Sequence, residues 1–166
     1  MFVRALVTVV ALSAVSLGAN PGAPPTGTAA GSMTVSGKAS TLGFVHAFPK
    51  KTFGRPAVLL VFSDILLSAA DAADDAKLSV LGNSGKLHGM GILVGADPSG
   101  KPIAISNEIY DVGFKGRMSI GGEDSFEARK SDDTSSAGHL FLKPAKKFDN
   151  GVTFTYDVTF DAPIER

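Results

Sequence analysis

The sequence contains no cysteine and no tryptophan, and its charges cancel. Without cysteine the chain has no disulfide, thiol nucleophile, zinc–thiolate or blue-copper site, so a hydrophobic core must stabilise it. The 16 basic and 16 acidic residues give a formal net charge of +0. A neutral chain lacks the basic surface that nucleic acid requires, and we therefore expect no nucleic-acid partner.

Long apolar runs are also scarce, and the one that stands out is at the N-terminus. Arg4 precedes an almost unbroken apolar run, residues 5–15, and small residues follow at Gly18 and Ala19. This arrangement is typical of a secretory signal peptide, and the run is shorter than the roughly 20 residues of a transmembrane helix. We expect residues 1–19 to be removed, leaving an exported protein, periplasmic or extracellular, with no stable membrane span.

Residues 20–31 are rich in proline, glycine and alanine, which predicts a flexible linker before a folded domain over residues 32–166. Within the domain, apolar and polar residues alternate with period two, as at Phe154, Tyr156, Val158 and Phe160. Turn signals separate these segments at the spacing of antiparallel strands. The pattern predicts an all-β fold, a single antiparallel β-sandwich of about seven to nine strands.

One segment departs from this alternation. Ser68 and Asp71 form a capping box before an alanine-rich stretch, which predicts one short helix over residues 69–77.

The only pair of residues that suggests a cofactor is His88 and Met90. Residues two apart in a strand share a face, so an imidazole and a thioether could hold copper(I) there. Further candidate ligands are His46, which alternates with Leu42, Phe44 and Phe48, and also His139, Met33 and Met118. The alternative interpretation is that the methionines and histidines belong to the core.

No catalytic set is recognisable. Residues 95–101 have the spacing of a phosphate loop, but Pro102 replaces the Ser or Thr that it needs, so we interpret them as a hairpin turn. No Gly-x-Ser-x-Gly motif occurs. Asp64 and Glu108 lie near predicted strand ends, as carboxylates of a hydrolase would. We therefore assign no catalytic residue and expect no cofactor.

Three stretches together resemble a group of small exported bacterial proteins with a β-sandwich domain and no assigned function. They contain the segments Gly37-Lys38 and Val45-His46-Ala47-Phe48, Gly85-Lys86-Leu87-His88-Gly89 with Gly100-Lys101, and Tyr156 to Ile164. The resemblance implies a fold and export, and no catalytic residue.

These observations favour an exported, non-enzymatic binding or structural module of the cell envelope, with an envelope or extracellular ligand still to be identified. The alternatives are a periplasmic copper-binding protein that uses His88 and Met90, and a hydrolase with an unrecognised carboxylate site.

Overall fold

The computed structural model describes residues 26–112, 114 and 125–165, which form eight strands and two helices. In chain order the elements are β1 (Gly27–Val35), β2 (Lys38–Thr52), β3 (Arg55–Ser63), α1 (Ala69–Ala73), α2 (Asp75–Asn83), β4 (Gly89–Ala96), β5 (Pro102–Tyr110), β6 (Ser125–Ser131), β7 (Ser135–Lys147) and β8 (Thr153–Pro163). The predicted signal peptide lies outside the described residues. The first strand begins at Gly27, before the predicted domain boundary at Ser32, so residues 27–31 belong to the sheet and not to a linker.

All eight strands belong to one antiparallel sheet, in the order β5-β4-β3-β2-β1-β8-β7-β6. The sheet curls into a half-barrel, so that its edge strands β5 and β6 approach each other. The all-β prediction and the antiparallel pairing are confirmed, but the predicted sandwich is not. The long strands explain this, because β2 has 15 residues and β7 has 13, enough to bend around one core without a second sheet.

The main hydrophobic core fills the inner face of the curled sheet. Phe154, Tyr156, Val158 and Phe160 are all buried there, which confirms the face predicted from their alternation. The Phe160 ring meets the edge of the Phe62 ring at a centroid distance of 5.4 Å. Because β3 and β8 are separated by β2 and β1 in the sheet, this contact crosses the core, and such aromatic side chains supply much of the buried surface that stabilises the domain.

The helices cover part of the outer face. Ser68 caps α1, its hydroxyl accepting a hydrogen bond from the Asp71 amide at 3.1 Å. The predicted single helix is in fact two, because Asp74 has extended backbone angles and caps α2 through the Lys77 amide. A second core on this face contains Leu67, Ala72, Leu78, Leu87 and Tyr110 with Val61.

Neither helix of the described residues is long and apolar enough to cross a membrane.

Candidate functional site

An open cup lies at one end of the half-barrel and continues the inner core to the surface. Its volume is about 590 Å³, and it is bordered by the end of β2, the start of β3 and the turns that follow β4 and β6. The lining is mostly apolar and comprises Pro49, Pro56, Ala57, Val58, Val94, Ala96, Pro102, Phe126 and Ile164. The cup is therefore a concave, largely hydrophobic cavity that is open to solvent.

Charged side chains of both signs stand around the mouth of the cup. Lys50 and Lys51 are exposed and form no ion pair with any described residue. The Asp132 carboxylate is occupied by its own turn, where it accepts hydrogen bonds from the Thr134 amide at 2.7 Å and the Ser135 amide at 2.9 Å. The Thr134 hydroxyl also donates to it and is the main reason why the pKa of Asp132 lies below its usual range. Asp133, which is also exposed at the mouth, adds a second carboxylate, so two lysines and two aspartates surround this part of the cup.

A second, smaller cavity of about 250 Å³ lies between the helices and the outer face of the sheet. The Tyr110 hydroxyl faces two carboxylates there, Glu108 at 3.0 Å and Asp75 at 3.2 Å. Burial, reinforced by the negative charge of Glu108, raises the pKa of Tyr110 above its ordinary value. Gly91 leaves room for the hydroxyl, since a Cβ at that position would lie 3.1 Å from it.

Each of the three histidines contacts a different carboxylate partner. In the buried pair, Nδ1 of His46 lies 2.5 Å from Oε1 of Glu165, and Nε2 donates to the Leu67 carbonyl at 3.2 Å. His46 shares the outer face with Phe48, whereas Leu42 lies in the inner core, so the predicted single stripe is divided between two faces.

His88 lies beside the start of β4, with Nδ1 2.6 Å from Oδ2 of Asp111. Met90 is fully buried in the inner core, as is Met33, and Met118 lies outside the described residues. Within the part of the chain that the structure describes, no three histidine, aspartate or glutamate side chains are grouped as metal ligands. The copper site therefore stays a prediction, and the contact that the structure adds to His88 is a carboxylate.

His139 is on the outer face of β7, partly exposed. Its Nε2 is 2.7 Å from Oδ1 of Asp157, and its Nδ1 is 3.3 Å from Oε2 of Glu127. The hydrogen bond with Asp157 raises the pKa of His139, and partial desolvation acts in the opposite direction. Lys143 and then His139 hold the pKa of Asp157 below its usual range.

The other candidate residues have structural partners. Residues 97–101 form the turn between β4 and β5, in which Asp97 Oδ1 accepts from the Ser99 and Lys101 amides, which confirms the interpretation as a hairpin turn. Asp64 accepts a hydrogen bond from the His88 amide at 2.9 Å, whereas Glu108 belongs to the Tyr110 cluster. Asp64 and Glu108 therefore accept hydrogen bonds from different groups.

Sequence reasoning did not single out Phe53, Tyr110 or Glu165. Tyr110 and Glu165 acquire their surroundings from distant strands, so no local pattern marks them. Phe53 did carry a local signal, because a large apolar residue precedes Gly54 in a turn between two strands and has lysines and an arginine on either side.

Comparisons with protein-family models, with curated proteins and with solved structures gave no match for this chain. The features of the molecule that bear on function are the cup, its charged mouth and the exposed turns around it.

Proposed function

We propose that this chain is an exported, non-enzymatic binding module of the cell envelope and that the cup is its binding site. The observation that carries the proposal is the cup itself, about 590 Å³ with an apolar lining and a few charged groups at its mouth. Small-molecule sites have this character, with volumes of about 300–1,000 Å³ and a small number of polar groups that orient the ligand. The resemblance to small exported β-sandwich proteins supports export but names no ligand.

The ligand class that fits the cup is an apolar chain with an anionic head, such as a long-chain fatty acid. Burial of the chain against Val58, Val94 and Phe126 would release apolar surface from water, the main source of affinity in such a site. Lys50 and Lys51 have no acidic partner among the described residues, so they are available to an anionic head at the mouth.

The test is a titration of the protein with parinaric acid, a fluorescent fatty acid, in which the fluorescence of the acid reports binding. Ser131→Trp places a bulky side chain in the lining of the cup and is expected to weaken binding at least tenfold. Ser79→Trp, at an exposed position of α2, is the matched control and should bind as the wild type does. The methyl ester of the probe lacks the charge and should bind more weakly. Failure of the wild-type protein to bind the acid, or equal binding by the Ser131→Trp protein, would contradict the proposal.

Export is tested separately. The chain is expressed with its own N-terminus, and the mass of the protein recovered outside the cytoplasm should correspond to cleavage after residue 19. A protein found only in the cytoplasm at full mass would contradict this part of the proposal.

The two alternative functions, a copper(I) carrier and a hydrolase, have less structural support than the binding module. A copper(I) carrier requires His88 and Met90 to share an ion, and competition for copper(I) with His88→Ala as control would detect it. A hydrolase finds its best carboxylate pair at Glu108 and Asp75, beside the Tyr110 hydroxyl. Turnover of generic ester or glycoside substrates that is lost in Glu108→Gln would favour it over the binding module.

A further inference from the structure

The hairpin between β2 and β3 ends in a phenylalanine that folding alone does not account for. Phe53 is 93% exposed and has a φ of 49°, and Gly54 beside it has a φ of 76°. A two-residue turn with both φ values positive normally contains Asn-Gly or Asp-Gly, because a bulky side chain is disfavoured there. An apolar side chain that is both strained and fully in water indicates a role outside the fold.

The end of the hairpin also lacks backbone pairing to the strands on either side of it. The pairing of β1 with β2 reaches only Val45, and the pairing of β3 with β4 begins only at Val58. Residues 50–57, here called the hairpin tip, therefore form ladder pairs only with each other in the described part of the sheet. The base of this segment still packs on the sheet, because Ala57 is buried and lies 3.7 Å from where a Cβ at Gly95 would be, whereas Phe53 at its end is almost fully in water.

The hairpin tip is positively charged as well as apolar at its end. Lys50, Lys51 and Arg55 are exposed, and none forms an ion pair within the described residues. No acidic residue occurs in the sequence between Phe48 and Ser63, so nothing on the hairpin neutralises the three cations. The neighbouring turns carry charges of both signs, with Asp97 and Lys101 after β4 and Asp132 and Asp133 after β6, so the positive charge is concentrated on the hairpin tip itself.

We propose that the hairpin tip docks the protein on an anionic lipid bilayer, with Phe53 entering the interface and the cations contacting lipid phosphates. A single aromatic side chain exposed at the end of a hairpin suits insertion between headgroups. A protein partner of ordinary affinity would instead require a patch of about 800 Å² on each side. Cations beside an anionic membrane add to such binding, each by about fivefold. The docking does not depend on a ligand in the cup, although it directs the mouth of the cup toward the membrane.

The experiment is flotation of the full-length protein with vesicles of phosphatidylcholine, either pure or mixed equally with phosphatidylglycerol. All variants share the same N-terminal residues, so any contribution of residues 1–25 is common to them. Wild-type protein should bind the mixed vesicles much more tightly than the neutral ones. Phe53→Asn should weaken binding about tenfold while unfolding at the same or a higher temperature, because asparagine tolerates a positive φ. Leu66→Asn is the matched control, since Leu66 is 65% exposed near the opposite end of β3.

The charge contribution is tested with Lys50→Gln combined with Lys51→Gln, which should weaken binding by more than tenfold. The control pair, Lys38→Gln with Lys86→Gln, removes two exposed lysines near the other end of the sheet and should have little effect. Equal binding to both vesicle types, or equal losses in test and control variants, would overturn the proposal. Binding to immobilised polyglutamate but not to vesicles would also overturn it, in favour of an acidic protein partner. Ser131→Trp should still bind vesicles, which separates this result from the outcome for the cup.

Discussion

The buried pair of His46 and Glu165 predicts a large, specific loss of stability when one partner is removed. His46 is 2% exposed and Glu165 7%, and their side-chain atoms are 2.5 Å apart. Because the second ring nitrogen is already bonded to the Leu67 carbonyl, Glu165→Ala leaves Nδ1 buried without its partner. Removing one member of a buried pair typically costs about 3–5 kcal/mol, a large part of the roughly 5–15 kcal/mol that stabilises a domain.

The assay is urea unfolding of a double-mutant cycle that comprises Glu165→Ala, His46→Leu and both together. We expect each single variant to lose about 3 kcal/mol or more and the double variant to lose much less than their sum, because the contact is lost only once. Asp133→Ala, which removes an exposed carboxylate, is the control and should change stability by less than about 0.5 kcal/mol. A loss below about 1 kcal/mol in Glu165→Ala, or additive losses in the cycle, would refute the reasoning.

Three further predictions concern other parts of the sheet. Gly31→Ala should cost about 3 kcal/mol in urea unfolding, because its Cβ would lie 2.1 Å from the Asp157 carbonyl oxygen, whereas Gly43→Ala has nothing within 4 Å and should be neutral or stabilising. His139→Gln should lower stability below about pH 6.5 by at most about 1 kcal/mol, and this difference should disappear as the pH rises through the elevated pKa of His139. Tyr110→Phe and the wild-type protein should show the same tyrosinate absorbance up to about pH 11. Burial keeps the pKa of the Tyr110 hydroxyl above its usual value of about 10, so this residue does not ionise in that range in the wild type either.

Local features of the fold were predictable from the sequence. Alternation from Phe154 to Phe160 identified both a strand and its buried face, since side chains two apart in a strand share a face. Ser68 marked the start of a helix because its hydroxyl can satisfy a free amide of the first turn. These signals lie within a few residues of the structure that they determine.

Long-range features were not predictable in the same way. Alternation shows that a strand has a buried face but not whether two faces belong to one curled sheet or to two packed sheets. The partner of His46 is 119 residues away, and nothing near either residue indicates the other. The cup has the same origin, because Val58, Phe126 and Ile164 come together only when β3, β6 and the C-terminus reach one end of the sheet.

The position of β8 has a consequence for how the chain reaches its native state. The last strand lies between β1 and β7, so the first strand finds one of its two neighbours only when the end of the chain is present. The hydrogen bond from Thr159 to the Ala30 carbonyl spans 129 residues, and pairing over such separations slows folding. A nascent chain that still lacks β8 cannot close its core. Until β8 is synthesised the polypeptide lacks its native sheet, a state compatible with the export proposed above.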